Sequence, residues 1–163
     1  YVIIGHSERR EYFKETDKTV HDKVKAVLKA GLVPIICVGE KFEERQKGQK
    51  DGVIINQISK ALEGIKLKSK DKFIIAYEPV WVIGSGQAVK PDETEYTNKV
   101  IRHRLLDLYS RKIVSENFRI IYGGSVNSKI VKSFTDQPTV DGVLVGGKSL
   151  EATEFVKIVK AVV

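Results

Sequence analysis

A chain of 163 residues, 42% hydrophobic and 30% charged, is long enough to bury one sizeable core and has the balance of an ordinary globular protein. No apolar run reaches the length of a membrane span and no signal-peptide pattern appears; with a single cysteine, which cannot form an internal disulfide, a cytoplasmic protein with no membrane partner is favoured. The net charge of +7 suits small anionic substrates. The lysines, however, are spread along helical stretches (Lys23, Lys25, Lys29) rather than interleaved with aromatics, which argues for a solvated face and against nucleic acid.

In chain order, short apolar runs alternate with segments of helical period. The runs are YVIIG (1–5), VPIICVG (33–39), FIIAY (73–77), FRIIYG (118–123) and DGVLVGG (141–147). Between them Val20, Val24, Val27 and Leu28 form one helical stripe; Ile54, Ile58, Ala61, Leu62 and Ile65 a second; Ile101, Leu105 and Leu108 a third. Phe155, Ile158, Val159 and Val162 form a fourth. Near-continuous apolar strands separated by amphipathic helices predict an α/β fold with a parallel sheet of five β/α units. No Pro-, Gly- or Ser-rich tract divides them, so residues 1–163 read as a single domain. The first run starts without a preceding turn or cap, on Tyr1 rather than methionine, which reads as the middle of a longer sequence. Cys37, the single cysteine, lies inside an apolar run and is expected in the core. His6, His21 and His103 lack metal-ligand spacing, so no metal is expected.

In parallel α/β folds chemistry gathers where strands end. Glu78 follows the third run and is itself followed by Pro79, which restricts the backbone before it. The loop beyond is apolar (Val80, Trp81, Val82, Ile83), then glycine-punctuated (Gly84, Gly86). Beside such a loop a carboxylate would lose water and rise in pKa toward a working base; a plain surface turn fits the same residues. His6 follows the first run, where it could polarise a carbonyl or bond backbone as a strand-end histidine. Paired glycines follow the fourth and fifth runs, Gly123-Gly124 and Gly146-Gly147. A short helix after each pair would aim its positive end at an anion, forming a phosphate cradle; tight strand-to-helix turns would need the same glycines. GVLVGGKS (142–149) matches a phosphate-loop pattern by letter, but Val143, Leu144 and Val145 read as the strand itself, so the match is rejected.

Taken together, YVIIGHSERR, IICVGE, AYEPVWVIGSG, IIYGGSV and GVLVGGKSL, in this order and spacing, resemble the triosephosphate isomerase family over the whole chain. The resemblance implies a partial (β/α)8 barrel made of the last five of eight units, and interconversion of dihydroxyacetone phosphate and D-glyceraldehyde 3-phosphate through an enediolate without a cofactor. It implies, as the assignment known for the family, Glu78 as base and neutral His6 as electrophile, with Glu8 the acid that pairs with the family's catalytic lysine. Gly84, Ser125, Gly146 and Gly147 would bind the substrate phosphate. Pro79, Val80, Trp81, Val82, Ile83, Gly84, Ser85, Gly86, Gln87, Ala88 and Val89 would form a closing lid, with Tyr122 and Ser125 as its latch. Lys148, in place of a small residue, is either solvated or an extra phosphate contact.

The family's catalytic lysine and its dimer loop fall in the segment N-terminal to the matched region, and a full barrel needs about 250 residues. Five strands cannot close with the required tilt, so the outer runs should present open edges. The expected partners are therefore a phosphorylated triose and the N-terminal part of the barrel or a second copy, the family being homodimeric. The alternative is an inactive fragment that serves as an assembly or phosphate-binding module.

Overall fold

The computed structural model describes residues 1–68, 71–83 and 88–163. Four parallel strands, β1 (Val2–Ile4), β2 (Pro34–Val38), β3 (Phe73–Tyr77) and β4 (Phe118–Tyr122), pair in chain order. The connections carry helices α1 (Ser7–Tyr12), α2 (Asp17–Lys29), α3 (Phe42–Gln46), α4 (Lys50–Ala61), α5 (Pro91–Leu108) and α6 (Arg111–Asn117). Beyond β4 lie α7 (Val131–Thr135) and α8 (Ala152–Val162). Among the described residues no helix is long and apolar enough to cross a membrane.

Local signals account for the helix starts. Thr16 and Thr19 form a reciprocal capping box that satisfies free N–H groups at the head of α2. Pro91 opens α5 at a position where no intrahelical N–H is needed, and the Ser110 side chain accepts the N–H of Ile113 at the head of α6. The first three predicted stripes then face the sheet: Val20, Val24, Ile54, Ile58, Ile101 and Leu105 are at most 1% exposed. They pack on the outward residues of the strands, Ile4, Ile36, Phe73, Ile75, Phe118 and Ile120. The opposite face carries a smaller cluster, Cys37, Ala76 and Ile121 with Ile35, Ile74 and Leu144. Alternation along each strand thus gives a thick outer core and a thin inner one.

Two predicted features differ in form. The fifth run lies beside β4, but its ladder shrinks to a single parallel bridge, Tyr122 to Val143, supported by Leu144 N–H donating to the Tyr122 carbonyl at 2.8 Å. No further strand borders it among the described residues, so nothing extends the pairing. For the same reason the fourth stripe is only partly buried. Ile158 is covered, whereas Phe155, Val159 and Val162 are 40%, 44% and 41% exposed. At the other edge Ile3 of β1 is 46% exposed. The sheet therefore has an apolar opening at each end.

The β1 end is clamped by charge. Gly5 N–H donates to Glu15 Oε1 at 3.0 Å, and its carbonyl accepts Arg10 Nε at 2.8 Å. Glu15 Oε2 takes Arg9 Nε and Lys23 Nζ, each at 2.7 Å. Burial pushes the Glu15 carboxyl up, but Lys23, Arg9 and the Gly5 N–H together hold it below the ordinary value. Arg9 and Lys23 are about half exposed, which weakens their share. Replacing Glu15 with alanine is expected to cost about 2 kcal/mol in urea unfolding, because a buried N–H and two cations lose their acceptor.

Candidate active site

The strand register brings the site together. Val38 pairs with Tyr77 and Tyr77 with Tyr122, so one residue further along, Glu78 stands between Gly39 and Gly123. Both neighbours need to be glycine for lack of space. A Cβ on Gly39 would lie 1.8 Å from the Glu78 carbonyl oxygen, and one on Gly123 would lie 2.8 Å from the Glu78 Cγ. Main-chain bonds lock the arrangement: Glu78 N–H donates to the Val38 carbonyl at 2.8 Å and Gly123 N–H to the Tyr77 carbonyl at 2.7 Å. The Gln57 amide on α4 bonds both the N–H and the carbonyl of Gly39.

Held there, the Glu78 carboxylate is 2% exposed. Its Oε2 accepts the Ser7 N–H at 3.1 Å, and its Oε1 lies 3.3 Å from His6 Nε2 without an aligned hydrogen bond. Burial raises its pKa; His6, the Cys37 thiol, the Ser7 N–H and Arg10 oppose the rise without cancelling it. Cys37 is raised well above its ordinary range, first by burial and then by the negative charge of Glu78. His6 caps α1, its Nδ1 accepting the Glu8 N–H at 3.3 Å. A neutral ring making that bond carries its proton on Nε2, the nitrogen turned to Glu78. The predicted base and electrophile are therefore neighbours. Glu8 stands beside them, exposed, its carboxylate in no ion pair with a described residue.

The start of the predicted lid is docked rather than projecting. Val80–Val82 form a 3-10 turn, Val82 is fully buried, and Pro79 is buried behind Glu78. Trp81 Nε1 donates to Glu40 Oε1 at 3.0 Å. Glu40 is fully buried and also takes the Tyr77 hydroxyl at 3.3 Å. The Ser125 hydroxyl donates to the Val82 carbonyl at 3.0 Å, which joins one predicted latch residue to the turn. Tyr122 is buried and stacks on Phe134 at 4.3 Å; its hydroxyl lies near the backbone of Val89 with no aligned partner, and burial pushes it up to about 12. Ile83 and Ala88 are half-buried and Val89 is in the core. Gly84, Ser85, Gly86 and Gln87, including one expected phosphate ligand, lie outside the described residues.

The glycine pairs differ from each other. Gly147–Leu150 is a 3-10 turn starting at the second pair, as expected, and Gly146 and Gly147 are exposed. After Gly124 no helix begins until Val131, so that pair serves close packing instead: a Cβ on Gly124 would meet the Tyr122 hydroxyl at 2.1 Å. Lys148 is exposed and bonds Glu151 at 2.7 Å, the solvated reading. Sequence reasoning passed over Ser7, whose contribution is a backbone N–H, and Glu40. An acid at a strand end following a glycine was the available signal for Glu40.

A parallel α/β sheet with a buried carboxylate and an imidazole at its carboxyl ends fits one side of a β/α barrel, where chemistry sits at that end of the strands. Comparison with known proteins agrees: the family model described as triosephosphate isomerase matches residues 1–162. The triosephosphate isomerase of Dictyoglomus turgidum is 47% identical over 161 residues, covering 99% of this chain and 64% of that protein. That of Fusobacterium nucleatum is 46% identical, with 99% and 64% covered, and that of Carboxydothermus hydrogenoformans 46%, with 98% and 63% covered. The chain belongs to the triosephosphate isomerase family. It spans just under two thirds of the length of these relatives.

Two stability measurements follow from the packing around Glu78. Gly39→Ala is expected to lose about 3 kcal/mol, since β2 and β3 must part to admit the methyl group, whereas Gly52→Ala, on the open side of α4, is expected to gain up to ~1 kcal/mol. The raised carboxyl gives a pH signature. The folded state holds the Glu78 proton more tightly than the unfolded chain does, so this group's contribution is present below the ordinary value of 4.5 and is lost as pH rises through the folded value. Glu78→Gln should therefore melt at a higher temperature than the parent at neutral pH, and the two melting curves should converge below about pH 4.

Proposed function

We propose that this chain carries the proton-transfer half of a triosephosphate isomerase site, and that it turns over a small phosphorylated triose once three N-terminal β/α units complete the barrel. The observation that carries the reading is Glu78, a buried carboxylate with raised proton affinity, 3.3 Å from His6 Nε2 at the carboxyl ends of parallel strands. Glu78 takes the proton from one substrate carbon while the electron pair moves onto the neighbouring carbonyl oxygen. The His6 Nε2–H stabilises that oxygen, and return of the proton to the adjacent carbon completes the isomerisation. Leaving the Ser7 N–H, which favours its anion, would strengthen the base. Residues 79–89 act as the lid, latched through Ser125 and Tyr122, and Gly84, Ser125, Gly146 and Gly147 hold the phosphate.

In the closed barrel the three N-terminal units supply a cation near Glu8, whose carboxylate has no ion pair among the described residues, and they seat on the two apolar openings. Ile3 marks one; Phe155, Val159 and Val162 mark the other. A barrel closed in this way removes both sheet edges. Without the cation, turnover is expected to fall by roughly 10²- to 10³-fold or more.

Isomerisation of glyceraldehyde 3-phosphate is therefore to be assayed with the chain alone, with a separately produced N-terminal three-unit piece, and with both, beside Glu78→Ala to expose contaminating host enzyme. Turnover that rises on mixing and vanishes in Glu78→Ala is the expected result. No rise on mixing, or equal turnover by the chain alone, would overturn the proposal.

A further inference from the structure

Arg45 belongs to none of the strand-end motifs, yet it contacts both Trp81, in the turn after Glu78, and Glu93, in the first turn of α5. Its guanidinium carbon lies 4.7 Å from the centroid of the Trp81 ring, a stacked cation–π contact. The same group forks onto Glu93: Nη2 donates to Oε2 at 2.8 Å and Nη1 to Oε1. Nη1 is also 3.5 Å from Glu40 Oε1, the atom that accepts the Trp81 indole N–H. Trp81 lies near the start of residues 79–89, and Glu93 is the third residue of α5, which follows them. A single planar cation thus spans from the turn before the loop to the helix after it, and Phe42 from the same short helix packs against the indole at 6.3 Å.

We propose that Arg45 is a positioning residue for the lid: anchored by Glu93, it presses the Trp81 indole toward Glu40 and so sets how readily residues 80–83 leave the docked position. The inference rests on reading residues 79–89 as a lid, as in the function proposed above. Geometry requires arginine here, because the fork to Glu93 and the face on Trp81 use the guanidinium plane together. A lysine ammonium offers a point charge without that plane. Lys50 Nζ, 3.8 Å from Glu93 Oε1, would keep Glu93 paired if Arg45 were changed, and Glu40 would keep its Tyr77 and Trp81 donors while losing the cation at 3.5 Å.

Trp81 is the only tryptophan in the chain, so tryptophan fluorescence reports the surroundings of this one indole. The experiment is time-resolved anisotropy and emission of Trp81 in the full chain, for the parent, Arg45→Gln, Glu93→Gln and Arg45→Lys. The expected result is a rise of roughly two- to fivefold in the fast local-motion component for Arg45→Gln, the change set by losing a half-exposed cation–π contact. Glu93→Gln should reproduce it by removing the anchor, and Arg45→Lys should fall between. Thermal midpoints close to the parent's would mark the effect as local. Parent-like anisotropy in Arg45→Gln would overturn the proposal, as would loosening that appears only with a matching fall in thermal midpoint. A loosened Arg45→Gln beside a parent-like Glu93→Gln would overturn the anchoring. Because the signal is the indole's motion rather than turnover, the result stands apart from the complementation assay and can fail or succeed independently of it.

Discussion

The strand ends of this protein are arranged around the solvation of one buried carboxylate by protein groups instead of water. Taking an ionised carboxylate out of water costs several kcal/mol, and the structure meets that cost only in part. The Ser7 N–H, the nearby imidazole of His6 and the more distant Arg10 all favour the anion of Glu78, while burial opposes it and wins. The residual imbalance leaves Glu78 with a higher proton affinity than an exposed glutamate, which is the property a base needs if it is to accept a proton from carbon.

Much of the surrounding structure reads as support for that balance. Gly39 and Gly123 clear the space on both sides, and Gln57 fixes Gly39 from the helix behind. The Glu15 and Arg10 clamp on Gly5 sets where His6 and the first turn of α1 begin, and so where the Ser7 N–H points. Glu40 is a second buried acid with a different task. Tyr77, Trp81 and Arg45 all direct donors at it, which ties the turn after Glu78 to the neighbouring strand end. Two buried glutamates one strand apart are thus separated by their donors: a sparsely satisfied one suited to proton transfer and a heavily satisfied one suited to anchoring.

The outer parts of the sheet follow the opposite pattern. Helices over β1 to β4 bury their apolar stripes almost completely, whereas the stripe of α8 and the edge of β1 stay half open. The sheet thus keeps exposed apolar surface at both ends, in a chain that spans just under two thirds of the length of its relatives.

The sequence by itself determined the repeating pattern and which candidate residues stand at the strand ends. Strand and helix periods are local properties of side-chain spacing, and Glu78, His6 and the glycine pairs fall at strand ends because the runs end there. Tertiary structure decided what spacing cannot encode. That Gly124 yields to a tyrosine ring while Gly147 opens a short turn depends on which side chain crosses each glycine. That the fifth run holds only one bridge, and that the fourth stripe is half exposed, depends on what lies beside them. Ser7 matters through a backbone N–H that every residue type but proline carries, so no letter could announce it. Cys37 looked like plain core and is core, but its place beside Glu78 came from the register of β2 and β3, which pairs Cys37 with Ala76, 39 residues further along the chain. Burial, register and charge balance are sums over residues distant in the chain, and only the folded arrangement brings those terms to one place.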